Sequence, residues 1–289
     1  MQTFVALEPL RLACRALRGD GPLALVPTMG ALHAGHLALV REAQARAAHV
    51  VVSIFVNPRQ FGAGEDLGSY PRQLARDAAV LEAAGVSALW APPAEVMYPH
   101  GYATTVQVGE VSEGLCGAVR PGHFDGVATV VAKLFNQVGP DLAVFGEKDW
   151  QQLAVIRKLA RDLDLSHPRA EAIVAVAIVR EADGLALSSR NAYLSAEQRS
   201  AAAQLPRAMK TAIAEIAAGE TYHQALATLT ATLLDGGFAA VDYAEVRDSD
   251  SFERQTVAGP PGSIGRLLVA ARIGTTRLID NMALAPPSA

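Results

Sequence analysis

LALVPTMGALHAGHLALVREAQARAAHVVVSIFVNP, residues 23–58, is the stretch on which the fold turns. Leu23 to Val26 is a short apolar run closed by Pro27, and Val50 to Val56 is a β-branched run ended by Asn57 and Pro58. Between them, from about Ala31 to Ala48, the pattern is helical, with Leu37, Val40 and Ala47 near one face. Two such runs joined through a helix predict a βαβ unit whose parallel strands are buried on both faces.

The alternation continues outward. Leu74 to Ala84 predicts a helix ended by Gly85, followed by a strand from Ser87 to Trp90. A Gly- and Pro-rich stretch, Ala91 to Gly126, contains one expected strand at Thr104 to Val108. Val127, Val130, Val131, Leu134, Phe135 and Val138 fall on one face of a helix that Gly139 and Pro140 stop. A strand from Asp141 to Gly146, a helix marked by Trp150, Leu153, Ile156, Ala160 and Leu163, and a strand from Ile173 to Val179 follow. Strands alternating with helices imply a doubly wound α/β domain with right-handed crossovers. The last third changes rhythm. Ser195 and Gln198 have capping-box spacing and open a helix toward Ala218. A helix from Tyr222 to Leu234 and strands at Ala240–Val246, Ile264–Arg272 and Thr276–Ile279 then predict a small α+β domain. The boundary is expected between Val179 and Ser195, dividing the chain into residues 1–183 and 184–289, and the terminal Ala-Pro-Pro-Ser-Ala is expected to fray.

Composition bounds the class. The 289 residues are 51% apolar and 19% charged, enough for a sizeable core and too apolar for disorder. A net charge of −4 argues against a nucleic-acid partner or a polybasic membrane anchor. No apolar window approaches ~20 residues, and the N-terminus does not read as a signal peptide. Two cysteines, Cys14 and Cys116, form no disulfide framework and fit a reducing cytoplasm.

The densest chemical signal is PTMGALHAGH, residues 27–36, where the first strand passes into the first helix. Unpaired N–H groups and the positive end of the helix dipole suit an anion there. Gly30 and Gly35 allow close approach, and His33 and His36 share a helix face beside that terminus, placed to hydrogen-bond phosphate oxygens. Solvated histidines are the plain alternative. Zinc ligation lacks a completing Cys or acid at a convincing spacing. Neither a P-loop nor a G-x-G-x-x-G motif is present.

Three further segments carry chemistry, two of them at strand ends. Asn57-Pro58-Arg59-Gln60 leads into a loop with Gly62, Gly64 and Gly68 that reads either as a closing segment or as ordinary surface. At Gly146-Glu147-Lys148-Asp149, Lys148 can neutralise phosphate or be a solvated lysine, whereas Asp149 reads first as a helix cap and otherwise as a ribose or metal ligand; Gln152 lies one turn on. Leu187-Ser188-Ser189-Arg190 offers hydroxyls and a guanidinium at the domain boundary, or a polar linker. Arg120 and His123, in RPGHFDG, read mainly as turn formers.

Together PTMGALHAGH, SIFVNPRQFG, EDLGSYPR, RPGHFDGVATVVAKLFNQVGPDLAVFGEKDWQQL, DGLALSSRNAYLS and ARIGTTRLIDN closely resemble the pantothenate synthetase (pantoate–β-alanine ligase) family, from about Pro27 to Asn281. H-x-G-H alone would indicate only the wider nucleotidyltransferase-like superfamily. The resemblance implies a Rossmann-like N-terminal domain, a smaller C-terminal domain closing over the active site, and a homodimer. It implies ATP-dependent joining of pantoate to β-alanine, giving pantothenate, AMP and pyrophosphate with Mg²⁺. Carried over by motif, Met29, Gly30, Ala31, Leu32, His33, Ala34, Gly35 and His36 would line the ATP phosphate site, with His36, His33 and Lys148 catalytic. Gly146, Glu147, Lys148, Asp149, Val179, Leu187, Ser188, Ser189 and Arg190 would contact ATP. Gln60 and Gln152 would bind pantoate, Gln60 would help receive β-alanine, and Asn57 and Tyr70 match positions at the cleft and its gate. Asp77 matches an acidic position linked to Mg²⁺, with fewer acids around it than in some members. Leu187 stands where many members have Met, an apolar exchange that keeps the contact. Competing classes are a nucleotidyltransferase acting on a phosphorylated alcohol, a tRNA synthetase (no KMSKS run, no anticodon-sized domain) and a non-catalytic nucleotide-binding regulator.

Overall fold

The computed structural model describes residues 1–257, 259 and 264–284. Its elements run β1 (Gln2–Phe4), α1 (Leu7–Asp20), β2 (Leu23–Thr28), α2 (Ala34–Arg46), β3 (His49–Ile54), α3 (Leu74–Ala83), β4 (Ala88–Trp90), α4 (Ala94–Met97), α5 (Leu115–Val119), α6 (His123–Val138), β5 (Leu142–Gly146), α7 (Trp150–Asp162) and β6 (Ile173–Val176). Then follow α8 (Ala196–Ala202), α9 (Gln204–Ala217), α10 (Tyr222–Asp235), β7 (Ala240–Asp248), β8 (Arg254–Gln255), β9 (Gly265–Ile273) and β10 (Thr276–Ala283). The chain divides into two compact units, Met1–Glu147 with Gln151–Ala177, and Lys148–Trp150 with the chain from Ile178 onward. The division thus falls before Ile178 rather than after Asp183, and it gives Lys148, Asp149 and the first residue of α7, Trp150, to the second unit.

The first unit holds a six-stranded sheet in the order β1-β4-β3-β2-β5-β6, with every pairing parallel. Leu23 to Val26 and Val50 to Val52 are all buried, as strands covered on both faces must be. Each such aliphatic side chain contributes about 1.5–3 kcal/mol by leaving water. The chain winds away from β2 through β3 and β4 on one side and returns through β5 and β6 on the other. The order therefore reverses between β2 and β5. The loops leaving the carboxyl ends of strands at such a reversal are where open α/β sheets bind ligands.

The second unit holds an antiparallel sheet, β10-β9-β7-β8, with a bulge between Val241 and Tyr243. Its core joins Leu267, Val269 and Ala271 of β9 to Leu205 and Met209 of α9 and Leu229 and Leu233 of α10.

Several elements differ from expectation. Thr104 to Val108 is not a strand. Its Val106 N–H is taken by Thr129 Oγ1, a side chain on α6, so this part of the segment does not build a ladder. The single helix expected from Ser195 to Ala218 is two, α8 and α9. Pro206 sits in the first turn of α9, where its missing N–H costs nothing, and could not continue α8. The strands β1 and β8 carry too little apolar pattern to be foreseen. The terminal residues 285–289, expected to fray, lie outside the described residues.

Candidate active site

The β2–α2 junction is built around an acid from another element. Thr28 Oγ1 accepts the Gly30 N–H at 3.2 Å, and Gly30 turns at φ +81°. A Cβ there would lie 3.0 Å from Asp77 Oδ2 and 3.1 Å from Ile54 Cγ2, so the turn has both the conformation and the clearance of glycine. Ala31 follows at φ 50°, a left-handed conformation that costs an L-residue about 1–2 kcal/mol. Asp77, buried on α3, holds it there. Its Oδ2 accepts the Ala31 N–H at 2.8 Å and its Oδ1 the Leu32 N–H at 2.9 Å.

The helix itself is capped by histidines. His33 is the N-cap of α2, its Nδ1 accepting from the Gly35 N–H at 3.1 Å, and His36 Nδ1 accepts from the His33 N–H at 3.3 Å. The rings lie 4.1 Å apart, tilted by 40°. A backbone N–H can only donate, so both Nδ1 atoms are unprotonated and each neutral ring carries its proton on Nε2. This corrects the expectation that open N–H groups of the turn receive an anion. Those of Gly30, Ala31, Leu32, His33 and Gly35 are used within the chain, and the imidazole Nε2–H groups are the donors that the cap fixes in place.

Asp77, matched by motif to an acid linked to Mg²⁺, thus has a structural task as well: each of its oxygens accepts one backbone N–H. Among the described residues no group of three or more His, Cys, Asp or Glu side chains could hold a metal ion. Such a set offers no all-protein cage for Mg²⁺, an ion ordinarily held by one or two carboxylates together with substrate phosphates.

Beyond β3 a second construction fixes Gln60. Asn57 is buried and caps the 3-10 turn Pro58–Gln60. Its Oδ1 accepts from Arg59 N–H and from Tyr98 Oη at 2.8 Å, and its Nδ2 donates to Gln60 Oε1 at 3.0 Å and Gly126 O at 3.1 Å. Burial pushes the Tyr98 phenol up to about 12, against the opposing Arg59 charge, so it remains a donor. With its oxygen held, the Gln60 amide presents Nε2, 3.2 Å from Met29 Sδ. Asn57 therefore orients Gln60, and its own amide is spent inside the fold. The Gln60 carbonyl accepts from His123 Nδ1 at 2.8 Å and Arg120 Nη2 at 3.3 Å. His123 must then carry its proton on Nδ1, and its Nε2 accepts from Arg120 Nη1 at 2.9 Å. Arg120 also grips Glu65 through two bonds of 2.6 Å. Burial alone would raise the Glu65 carboxyl, but the Arg120 hydrogen bonds and charge, a backbone bond at Gly62 and His123 together bring it down to about 2. Sequence reading set Arg120 and His123 aside as turn formers. Their i, i+3 spacing at the start of a helix was the available signal. Tyr70 is buried with its ring edge-on to Phe61 at 5.8 Å.

Gly146 ends β5, and Glu147 opens a 3-10 turn. Gln152 lies half-buried on α7 in the first unit, beside Gln151, whose amide is committed to Cys116 N–H and to carbonyls of the 111–114 segment.

In the second unit, Lys148 and Asp149 lie in the turn before α7. The Val179 carbonyl accepts the Leu187 N–H at 2.9 Å and the Glu181 N–H reaches Leu185 O, closing a hairpin that presents Ser188, Ser189 and Arg190. Ser188 Oγ caps the following turn by accepting from Arg190 N–H at 3.2 Å. The hairpin is braced by Arg199, which bonds Asp183 and Glu181 at 2.6 Å each.

The family model described as pantoate-beta-alanine ligase matches residues 2–283. The chain is 61% identical to the pantothenate synthetase of Novosphingobium aromaticivorans over 99% of this chain and 100% of that one, and 60% identical to that of Sphingopyxis alaskensis over 98% and 99%. The crystal structure of pantothenate synthetase from Thermus thermophilus shares 46% identity at a TM-score of 0.89, covering 99% of this chain and 100% of that one. The Francisella tularensis pantoate-beta-alanine ligase, complexed with beta-gamma ATP and β-alanine, shares 30% identity at a TM-score of 0.82 over the whole of both chains.

Proposed function

The chain belongs to the pantoate–β-alanine ligase family, and we propose that it condenses pantoate with β-alanine at the expense of ATP through a pantoyl adenylate. The observation that carries the reading is the imidazole-capped start of α2 at the strand-order reversal, within a family match that spans nearly the whole chain.

A carboxylate is a poor acyl donor because its leaving group would be oxide. In the first half-reaction a pantoate carboxylate oxygen bonds to the α-phosphorus of ATP, and the bond from that phosphorus to the departing pyrophosphate breaks. Charge builds on the pyrophosphate oxygens. Nε2–H donors of His33 and His36, with their rings locked by the cap, stabilise that charge without reorganising. Lys148, Ser188, Ser189 and Arg190 serve the phosphates of ATP, and Gly146, Glu147, Asp149, Val179 and Leu187 contact the nucleotide. Gln60, its amide turned by Asn57, donates to pantoate with Gln152. In the second half-reaction the neutral amine of β-alanine attacks the acyl carbon, the amine proton is lost, and the C–O bond to AMP breaks. The contribution of the protein is positioning and charge stabilisation. Magnesium enters with ATP as part of the substrate. Both cysteines are buried and neither is in a disulfide, which supports a reducing cytoplasmic setting, and no described helix is long and apolar enough to cross a membrane. A homodimer is the proposed assembly.

The test is product analysis with ATP, pantoate and β-alanine, omitting each in turn. Pantothenate, AMP and pyrophosphate in equal amounts, only in the full mixture, support the reading. ADP as product, or nucleotide coupled to a phosphorylated alcohol, rejects it.

A further inference from the structure

The motif ARIGTTRLIDN ends at Asn281, a residue the reaction above does not use. Asn281 lies on β10, 2% exposed. Its Nδ2 donates to the Lys148 carbonyl at 3.1 Å, and its Oδ1 accepts from Arg266 Nη1 at 2.6 Å. Arg266 can only donate and a carbonyl can only accept, so the orientation of the amide is fixed by chemistry. The Arg266 guanidinium also lies 3.5 Å from the centroid of the Trp150 ring. Two neighbouring strands therefore hold the segment 148–150 from both of its ends. Asn281 is itself clamped. Its N–H reaches Asp280 Oδ1 at 2.7 Å, and its carbonyl accepts from Arg180 Nη2. Arg180 forms a two-pronged pair with the buried Asp280, at 2.7 and 2.9 Å, and bonds Gly184 O at 2.9 Å in the hairpin that presents Ser188 to Arg190.

We infer that Asn281 is a positioning residue for the adenylation half-reaction: it fixes the Lys148 backbone in one frame with the Ser188–Arg190 hairpin. This rests on the reading that Lys148 serves the triphosphate. Lys148 has no such part in amide formation, so loss of its placement slows the first half-reaction and spares the second. Neutral hydrogen bonds of this kind are individually small. Their effect here is geometric, since small misplacement of a charge-stabilising group costs rate steeply.

The experiment compares Asn281→Asp, Lys148→Ala and the double variant in the full-length protein. Asn281→Asp keeps the acceptor for Arg266 and replaces the donor to Lys148 O with an oxygen. Adenylate formation is followed by rapid quench. Amide formation is followed from isolated pantoyl adenylate and β-alanine, with melting temperature measured alongside. Expected are a tenfold or greater loss of adenylation in Asn281→Asp, an amide-forming rate within twofold of the parent, and no further loss when the change is added to Lys148→Ala. Adenylation at the parental rate in Asn281→Asp, with Lys148→Ala impaired, overturns the inference while leaving the phosphate reading standing. Parallel loss of both half-reactions, or losses that multiply in the double variant, overturns it in favour of a merely structural residue. Full adenylation by Lys148→Ala rejects the phosphate reading and the positioning role with it. Should Asn281→Asp not fold, Asn281→Ala carries the same comparison, and failure of both to fold overturns the inference.

Discussion

Replacing Asp77 with Asn tests whether this carboxylate builds the β2–α2 turn or serves a bound metal. The native carboxylate accepts two backbone N–H bonds, at 2.8 and 2.9 Å, from a residue in left-handed conformation and its successor. An amide has one oxygen. It can keep one of the two, and its NH₂ then faces the other N–H. Leaving a buried donor unsatisfied costs about 1–3 kcal/mol, and losing the charge from the surviving bond removes roughly 1 kcal/mol more. Asp77 also stands in the first turn of α3, where a negative charge is worth about 0.3–1 kcal/mol. The expected loss is about 2–5 kcal/mol in urea unfolding at pH 7, measured with chelator and without nucleotide. With Ala31 released from its conformation, the His33 cap loses its entry, and the KM for ATP should rise tenfold or more. Unchanged or increased stability of Asp77→Asn without metal, with activity lost, would refute the reasoning. That pattern belongs to a carboxylate kept for a ligand.

Other expectations follow from the same geometry. His36→Ala should cut turnover by a hundredfold or more while shifting stability by about 1 kcal/mol, the scale of one lost cap bond; near-normal turnover would remove His36 from the chemistry. Gly126→Ala places a Cβ 2.3 Å from Arg59 O and 2.7 Å from Gln60 N, both backbone atoms. The 3-10 turn carrying Gln60 must move, so a loss of about 1–3 kcal/mol and a raised KM for pantoate are expected, read by denaturation and steady-state kinetics. Glu65 ionises at about 2 in the folded chain against an ordinary value of 4.5, so its tie to Arg120 is complete above about 4.5 and is lost as pH falls toward 2. Limited proteolysis of the 62–70 loop should accelerate across that window. In Glu65→Gln this acid-dependent component should be absent.

The sheet was legible because parallel strands buried on both faces write themselves as unbroken apolar runs, as Val50 to Val52 show. The edge strand β1 was not, because only Phe4 of its three residues is buried and one residue makes no period. The segment at 104–108 misled for the converse reason. It alternates like a strand, yet its central N–H bonds a helix side chain. At the site, the residues that a local motif groups were legible as candidates, whereas the ties that hold them from afar were not. Asp77 holds Ala31 across 46 positions, and Tyr98 orients Asn57 across 41. Contacts at such separation leave no spacing to read. The sequence pointed to the helix start as an anion site. It pointed to the two imidazoles as donors as well, but it did not reveal that the backbone donors are consumed within the chain.

The proposed reaction requires that pantoate be activated on ATP before β-alanine reacts. Exchange of labelled pyrophosphate into ATP, with pantoate present and β-alanine omitted, measures that step directly. The expected result is exchange that depends on pantoate and disappears in His36→Ala. Pantothenate formation by the folded parent enzyme with no such exchange would contradict a freely reversible adenylation.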